Sequence, residues 1–248
     1  MKIVIIIPSR YGSTRFEGKP LASIEGKPMI QWVCKVAQKD SNNSNVMVAT
    51  DDSRIVDTVQ GFGGNALMTG EENRSGTDRV AEAAEKMGLD PDDIVVNIQG
   101  DQPAFVTDHI EAVVRPFIKD ADVEMSTLAY QIDKPKEITN PKDCKVVFDS
   151  KGYALYFSRS PIPCARDATT VFDTYKHLGI YAYRKRFLDT FRRLPFGRLE
   201  EIEKLEQLRA LEHGHRIMVV KTAYDSPEVD LPEDIPRIVK EFPERFKD

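Results

Sequence analysis

The chain has 248 residues, with 35 basic and 40 acidic side chains and a formal net charge of −5 at pH 7. The length suits one large α/β domain, and the lack of a basic excess argues against general affinity for nucleic acid. Three widely spaced cysteines, Cys34, Cys144 and Cys164, indicate neither a disulfide framework nor a zinc pair. With no targeting pattern and no apolar run of membrane-spanning length in the sequence, we expect a soluble, cytoplasmic protein.

The first half of the sequence predicts strands that alternate with helices. The β-branched run from Ile3 to Ile7 predicts a strand buried on both faces, as in the centre of a parallel sheet. The elements predicted after it are a helix at 28–39, a strand at 45–50, a helix at 53–60, a strand at 66–69, a helix at 77–87 and a strand at 93–99. This alternation favours the α/β class, with a Rossmann-like, mostly parallel sheet flanked by helices.

The second half of the sequence predicts a more antiparallel arrangement. Strands are expected at 123–130 and 177–183, and an antiparallel hairpin at 145–158 with its turn near 149–152. The leucine spacing predicts one continuous helix at 199–213, with an apolar face formed by Leu199, Ile202, Leu205, Leu208 and Leu211. A strand at 216–223 and a short helix from about Pro232 complete the chain. We find no internal repeat and no linker that would justify two independent domains.

The loop after the first strand carries features of a polyphosphate site. It combines glycines, hydroxyls and fixed positive charges, namely Ser9, Arg10, Gly12, Ser13, Thr14, Arg15, Gly18 and Lys19. Ligands of open α/β sheets lie at the carboxyl ends of the strands, and backbone N–H groups with cations suit phosphate oxygens. The spacing matches neither the Walker pattern nor the dinucleotide fingerprint. The loop therefore predicts binding of a nucleoside triphosphate, with an ordinary turn as the alternative.

Two aspartates are candidate ligands for the divalent metal that polyphosphate chemistry needs. Asp101 follows a buried strand and Gly100, and Asp230 follows another strand-like segment. Mg²⁺ prefers one or two carboxylates together with substrate oxygens, so we predict that these two carboxylates hold it. The alternative for each is a helix cap, and that is how we interpret Asp51 and Asp52.

The remaining polar motifs are weaker when each is taken alone. Ser75, Gly76 and Thr77 form a second loop of glycine and hydroxyl residues at a helix start, where a cap is the common role. His177 is set among tyrosines, whereas His213 and His215 occur at a helix end. We find no Ser/His/Asp set and no cysteine nucleophile. This favours direct displacement at phosphorus, in which positioning and charge neutralisation supply most of the catalysis.

Eight ordered motifs together resemble the 3-deoxy-manno-octulosonate cytidylyltransferase family, the CMP-Kdo synthetases. They are IPSRYGSTRFEGKP at 7–20, VATD at 48–51, SGTDR at 75–79, NIQGDQP at 97–103, YALYFSR at 153–159, KHLGIY at 176–181, LEQLR at 205–209 and VDLPED at 229–234. The resemblance runs from Ile3 to about Ile235. It implies Mg²⁺-dependent transfer of CMP from CTP to Kdo, release of pyrophosphate, a homodimer, and supply of a sugar for the lipopolysaccharide inner core.

The resemblance also implies a role for individual residues. The triphosphate loop would comprise Ser9, Arg10, Ser13, Arg15 and Lys19, of which Arg15 and Lys19 would also be catalytic. Cytidine recognition would use Ser75, Gly76, Thr77 and Gln99. Asp101 and Asp230 would be the catalytic Mg²⁺ pair. The sugar-acid pocket would be formed by Arg159, His177, Tyr181, Glu206 and Gln207, with Arg159 on the carboxylate.

A single nucleotidyltransferase domain is expected over 1–248, of the nucleotide-diphospho-sugar transferase type. A nucleotide-binding half would span about 1–122, an antiparallel insertion for substrate and dimer contacts about 123–183, and a return to the main sheet about 184–248.

The sequence departs from the family pattern at several positions. Ser9 replaces the usual Ala, Phe16-Glu17 replaces Leu-Pro, and Leu231 replaces Thr. The stretch Gly197–Glu200 resembles a branch that activates 8-amino-3,8-dideoxy-manno-octulosonate, and this sugar is the first alternative to plain Kdo. Another sugar-acid nucleotidyltransferase, such as one for sialic acid, and a catalytically silent nucleotide-binding module remain as further alternatives.

Overall fold

The structure, a computed structural model, describes residues 1–12, 15–39, 45–167 and 169–247. Ser13, which was predicted to bind the triphosphate, lies outside the described residues. Among the described residues, no helix is both long enough and apolar enough to cross a membrane.

The first half alternates strands and helices, as predicted. Its strands are β1 (Ile3–Ser9), β2 (Ser23–Ile24), β3 (Lys27–Pro28), β4 (Val46–Thr50), β5 (Ala66–Met68) and β6 (Ile94–Asn97). Its helices are α1 (Met29–Gln38), α2 (Ser53–Gly61), α3 (Gly76–Lys86) and α4 (Thr107–Lys119). The six elements predicted after the first strand are confirmed to within a few residues at each end. Helix α4 had no sequence prediction.

The second half contains the predicted hairpin and strands, together with unpredicted helices. Its strands are β7 (Met125–Gln131), β8 (Lys145–Phe148), β9 (Ala154–Ser158), β10 (Tyr175–Arg184) and β11 (Met218–Thr222). Its helices are α5 (Pro135–Thr139), α6 (Lys185–Arg193), α7 (Arg198–Glu203), α8 (Gln207–Glu212) and α9 (Asp234–Glu241). Strands β8 and β9 pair antiparallel as the expected hairpin. No prediction covered α5 or α6.

One twisted sheet connects both halves, in the strand order β11-β7-β10-β6-β1-β4-β5. Strand β1 lies between β4 and β6 and is parallel to both, and β10 is antiparallel to β6 and β7. The β-branched run in β1 is buried from Val4 to Ile7, because both faces of this central strand are covered. The mostly parallel α/β fold is therefore confirmed.

The single helix predicted at 199–213 is wrong. The chain breaks between α7 and α8 at Lys204, whose backbone is left-handed with φ 54°. Leu205 and Leu208 are buried, but Leu199 is 37% exposed and Ile202 is 61% exposed, so the expected continuous apolar face does not exist. The break places Glu206 at the N-cap of α8.

A buried ion pair holds α7 against α8. Arg209 is fully buried and donates to both carboxylate oxygens of Glu200, at 2.8 Å and 2.5 Å. The guanidinium also lies 3.5 Å from Asp78 of α3. A buried charge pair of this kind is costly to disrupt, and it fixes the segment that carries Glu206 and Gln207.

Candidate functional site

A cleft of about 1030 Å³ opens beyond the carboxyl end of β6. Ten of the residues predicted from sequence line it, namely Arg15, Gly76, Gln99, Asp101, Arg159, His177, Tyr181, Glu206, Gln207 and Asp230. They come from both halves of the chain. The fold therefore brings most of the predicted site together in one cavity.

Lys19 and Asp101 form a close ion pair at the edge of the cleft. Gly18 adopts φ 66°, a conformation suited to glycine, and the following 3₁₀ helix Lys19–Leu21 directs Lys19 towards β6. The ammonium lies 2.5 Å from Asp101 Oδ2 and donates to the carbonyl oxygen of Val229 at 2.9 Å. Lys19 thus connects the first loop with both predicted metal-binding segments.

Arg15 and Asp230 form a second ion pair, with 2.9 Å between the guanidinium and Asp230 Oδ1. The loop at Asp230 is fixed by Asp234, whose Oδ2 accepts the backbone N–H groups of Asp230 and Leu231 at 3.0 Å and 2.9 Å. The backbone N–H of Val229 donates to the carbonyl oxygen of Asp101 at 2.9 Å. These bonds hold the two predicted metal ligands on adjoining loops.

The carboxylates fit a divalent cation that also contacts substrate oxygens. Asp101 Oδ1 is buried and has no hydrogen-bond partner among the described residues. A buried oxygen without a donor is costly unless a ligand satisfies it. No cluster of three or more His, Cys, Asp or Glu side chains suited to a metal occurs in the described part of the chain. Asp101 and Asp230 offer two carboxylates, and such a donor set would fit Mg²⁺ when substrate oxygens supply further ligands.

Ser9 and Arg10 lie outside the cleft lining, and Lys19 reaches the cleft only through its contact with Asp101. Ser9 is buried at the end of β1, and its hydroxyl has no partner among the described residues. Arg10, directly after it, is exposed. The loop is closed by the backbone N–H of Gly18, which donates to the carbonyl oxygen of Tyr11 at 2.9 Å. The Arg54 guanidinium lies 3.3 Å from the centre of the Tyr11 ring, which supports the loop from α2.

The loop predicted to bind cytidine caps α3 and contacts Glu206. Ser75 Oγ accepts the backbone N–H of Asp78 at 3.2 Å, so this residue is the helix N-cap. Thr77 Oγ1 donates to Glu206 Oε1 at 2.6 Å. Burial raises the pKa of Glu206, although the hydrogen bond from Thr77 opposes the shift. Glu206 therefore joins the cytidine loop to the sugar-acid pocket.

Gln99 lies between these two regions. Its amide Nε2 is 3.3 Å from both Asn97 Oδ1 and the carbonyl oxygen of Gly179. Gln207 is buried against the same cavity, and its Nε2 has no partner among the described residues. An amide donor left free in this way is available to a ligand.

Arg159 lines the cleft but already binds backbone groups. Its guanidinium donates to the carbonyl oxygens of Glu203 at 2.6 Å, Pro141 at 2.9 Å and Lys204 at 3.4 Å. The five N–H groups of a guanidinium leave further donors for a planar carboxylate. Arg159 thus holds the break between α7 and α8 while it faces the cavity.

His177 and Tyr181 form an aromatic wall on β10. Their ring centres are 5.3 Å apart, and His177 Nε2 lies 2.9 Å from Thr127 Oγ1. Burial lowers the pKa of His177 to about 3, so the imidazole is neutral at physiological pH. Burial, followed by the charge of Glu206, raises the pKa of Tyr181 well above its usual value. The wall is therefore uncharged.

Asp52 has the helix-cap role that was predicted for it, whereas Asp51 forms an ion pair. Asp52 is the N-cap of α2 and accepts the backbone N–H of Arg54 at 2.9 Å. Asp51 lies 2.5 Å from the buried guanidinium of Arg79. Neither aspartate lines the cleft.

The cleft residues that were not predicted from sequence include Gln102, Ser226 and Glu228. The Glu228 side chain is exposed to the water of the cleft. Desolvation by the surrounding protein, followed by the charges of Asp101 and Asp230, raises its pKa to about 8. Gln102 and Ser226 are buried, and each has a side-chain oxygen without a partner in the described ranges. The motif NIQGDQP includes Gln102, but nothing in the sequence separates it from a structural amide.

Comparison with known proteins gives matches over nearly the whole chain. Residues 4–217 match the model of the cytidylyltransferase family. A 3-deoxy-manno-octulosonate cytidylyltransferase of Desulfosudis oleivorans is 65% identical over 238 residues, which is 96% of each chain. An 8-amino-3,8-dideoxy-manno-octulosonate cytidylyltransferase of Shewanella amazonensis is 54% identical over 238 residues, 96% of this chain and 97% of the relative.

Solved structures agree with these matches. A CMP:2-keto-3-deoxy-manno-octonic acid synthetase complexed with CTP superposes with a TM-score of 0.91 at 40% identity, covering 99% of this chain and 100% of that chain. A cytidylyltransferase from Leptospira borgpetersenii superposes with a TM-score of 0.59 at 14% identity, over 100% of this chain and 98% of that one. The second similarity concerns the fold alone.

Proposed function

The chain belongs to the 3-deoxy-manno-octulosonate cytidylyltransferase family, and we propose that it transfers CMP from CTP to the anomeric C2 hydroxyl of Kdo. In this reaction the C2 oxygen bonds to the α-phosphorus, the bond between the α- and β-phosphates breaks, and pyrophosphate leaves. The observation that carries the proposal is the meeting of the Lys19–Asp101 and Arg15–Asp230 pairs with the His177–Tyr181 wall in one cleft.

On the nucleotide side, Lys19 and Arg15 are the cations proposed to bind the triphosphate. Both now pair with carboxylates, at 2.5 Å and 2.9 Å, so an incoming triphosphate would replace or share these partners. Asp101 and Asp230 would hold Mg²⁺, which supplies charge neutralisation at the phosphate and lowers the pKa of a bound hydroxyl. Gly76 and Gln99 line the same cleft and would contact the cytosine, whereas Thr77 is fully buried and would act through its hydrogen bond to Glu206.

On the sugar side, Arg159 would bind the carboxylate of the sugar acid through its remaining N–H groups. Gln207 offers a buried amide donor with no other partner in the described ranges, and the neutral wall of His177 and Tyr181 presents polar atoms without adding charge. These residues orient the C2 hydroxyl, and such positioning is a main part of catalysis in phosphoryl transfer.

The 8-amino sugar is the second candidate substrate. A relative at 54% identity carries that name, and the Gly197–Glu200 stretch resembles that branch. We place plain Kdo first because the relative at 65% identity is a Kdo enzyme. Sialic acid is a weaker candidate, and a silent nucleotide-binding module is disfavoured because both carboxylates and Lys19 are retained.

We also propose a cytoplasmic homodimer that supplies activated sugar for the lipopolysaccharide inner core. Three observations support its location and assembly. The three cysteines are free, as is usual in reducing compartments. Leu155 of β9 is 63% exposed, and β9 has a hydrogen-bonded partner on one side only, β8, among the described strands. Light scattering of the purified chain would measure its mass in solution, and a monomer would contradict the dimer.

The function is tested by pyrophosphate release with CTP, Mg²⁺ and a panel of 2-keto sugar acids. We expect the highest kcat/KM with Kdo, a lower value with 8-amino-Kdo and the lowest with sialic acid. A higher kcat/KM with 8-amino-Kdo would reassign the sugar. No release with any member of the panel would contradict the proposed activity.

A further inference from the structure

Glu228 lies in the cleft beside the predicted Mg²⁺ pair, and none of the roles described so far uses it. Gln102 Nε2 donates to Glu228 Oε1 at 3.4 Å, which is a long hydrogen bond. Two cations, Lys19 and Arg159, act on Glu228, and both have other partners, Asp101 for Lys19 and backbone carbonyl oxygens for Arg159. The Glu228 carboxylate therefore retains most of its capacity to accept hydrogen bonds.

The position of Glu228 relates it to the sugar side of the cleft. A Cβ atom placed on Gly179 would lie 3.2 Å from Glu228 Oε1 and 3.7 Å from Gln102 Nε2. Gly179 lies on β10 between His177 and Tyr181, which form the aromatic wall. The missing side chain at Gly179 makes room for the carboxylate directly over the strand that carries this wall.

Two buried polar atoms near Glu228 have no hydrogen-bond partner among the described residues. Gln102 is fully buried with Oε1 unpartnered, and Ser226 is 3% exposed with Oγ unpartnered, in both cases among the described residues. Both line the same cavity as Glu228. Buried polar groups in folded proteins almost always have a partner. A ligand with several hydroxyl groups would satisfy all three residues.

The side chains of Glu228, Gln102 and Ser226 differ in how well they suit each possible ligand. The triphosphate and the sugar carboxylate are anions, and a carboxyl group beside Asp101 and Asp230 offers them no positive charge. Mg²⁺ takes one or two carboxylates and fills its other positions with water and phosphate oxygens, and Asp101 with Asp230 already meets that need. Sugar hydroxyls are neutral, and the Glu228 carboxyl accepts hydrogen bonds from them whether or not it carries a proton.

We propose that Glu228, with Gln102 and Ser226, binds hydroxyl groups of the sugar acid and positions the sugar against the His177–Tyr181 wall. The proposal rests on the proposed function and adds a specificity-determining patch to it. Because the patch contacts only the sugar, its loss changes sugar binding and leaves CTP and Mg²⁺ binding intact.

The test is steady-state kinetics of Glu228→Ala beside a matched control, Glu233→Ala, which removes an exposed carboxylate near the same loop. The KM for Kdo, the KM for CTP and the Mg²⁺ concentration for half-maximal rate are measured for each variant. For Glu228→Ala we expect the KM for Kdo to rise about tenfold, the cost of about one hydrogen bond. The other two constants should stay within about twofold of the wild type, as should all three constants of the control.

Two further variants test the proposal in case Glu228→Ala does not fold. Glu228→Gln keeps the volume and one acceptor oxygen, and Ser226→Ala removes only a hydroxyl, so each should raise the KM for Kdo in the same direction but less. An increased Mg²⁺ requirement in Glu228→Ala would make the residue part of the metal site and overturn the proposal. An unchanged KM for Kdo in a folded variant would overturn it as well. If the wild type itself does not turn over Kdo, the proposed function has failed, which is a different result.

Discussion

The backbone N–H of Val229 donates to the carbonyl oxygen of Asp101 at 2.9 Å, and this bond joins two loops that come from distant parts of the chain. Lys19 reinforces the junction, because its ammonium contacts the Asp101 carboxylate and the Val229 carbonyl oxygen together. The backbone thus fixes where the two candidate metal ligands lie, and the side chains supply the charge. Substitutions of the side chains alone should change the electrostatics of the site and leave its architecture in place.

Asp101→Asn and Asp230→Asn should each reduce kcat by at least about a hundredfold, the order expected when a main electrostatic element is lost. The amide keeps the shape of the side chain but removes the charge. Turnover is measured by pyrophosphate release, with circular dichroism as the check on folding. Asp122→Asn, at an exposed position outside the cleft, is the control and should behave as the wild type. Near-normal turnover in either site variant would remove that carboxylate from the mechanism.

Lys19→Ala should lower kcat more than it raises the KM for CTP. The ammonium is a compact charge, and its contact with a phosphate oxygen should strengthen as negative charge develops during displacement. Full kinetics against CTP concentration separate the two constants. A change in KM alone would make Lys19 an ordinary substrate-binding residue.

Arg159→Lys should raise the KM for the sugar acid about tenfold or more, since an ammonium cannot make two parallel hydrogen bonds to a carboxylate. The KM for CTP should hardly change. The structure adds a second readout, because the guanidinium also binds the carbonyl oxygens of Glu203 and Pro141. Equal losses for both substrates, together with a lower midpoint of thermal unfolding, would show that the residue acts mainly through these backbone contacts.

His177 should destabilise the fold as the pH falls. Its pKa is about 3 in the folded state against an ordinary value of 6.5, so the unfolded chain binds the proton first. This loss in the free energy of unfolding is absent above pH 6.5 and grows as the pH falls towards 3. At pH 5 it amounts to at most about 2 kcal/mol, and contact with cleft water reduces it. Urea unfolding at pH 7 and pH 5 measures this difference in the free energy of unfolding.

His177→Asn is the comparison for this pH dependence, because asparagine does not titrate. The variant should lose less stability between pH 7 and pH 5 than the wild type does. An identical loss in both proteins would show that another group causes the pH dependence.

The sequence predicted the first half of the fold well because its strands are buried on both faces. The run in β1 is apolar from Ile3 to Ile7, and β6 is apolar from Ile94 to Val96; such runs indicate parallel strands with little dependence on tertiary contacts. The position of Asp101 soon after β6 followed from the same pattern, whereas Asp230 lies well beyond the end of β11 at Thr222. Their approach to each other could be expected only from the general rule for parallel sheets and from the family resemblance.

The break at Lys204 could not be predicted, because the leucine period continues through it. Contacts from other elements produce it. Ser158 donates to Glu203 Oε1 at 2.7 Å, and the backbone N–H of Arg159 donates to Glu203 Oε2 at 2.9 Å. These bonds fix the end of α7 against β9, and they outweigh a weak helical preference.

Glu228 was missed for a related reason. A glutamate after a proline in a polar loop has no distinguishing local pattern. Its role depends on residues that are distant in the sequence and close in the structure. Gly179, Gln102 and the two aspartates are brought to it by the fold. Only the three-dimensional arrangement reveals a carboxyl group whose neighbouring cations, Lys19 and Arg159, already bind other groups.

The most direct test is phosphorus NMR of purified protein with CTP, Kdo and Mg²⁺. Synthesis of CMP-Kdo predicts that the triphosphate signals disappear while a phosphodiester signal and pyrophosphate appear in equal amounts, and only when the sugar acid is present. Persistence of CTP, or its conversion to CMP and pyrophosphate at a rate independent of the sugar, would contradict transfer to Kdo.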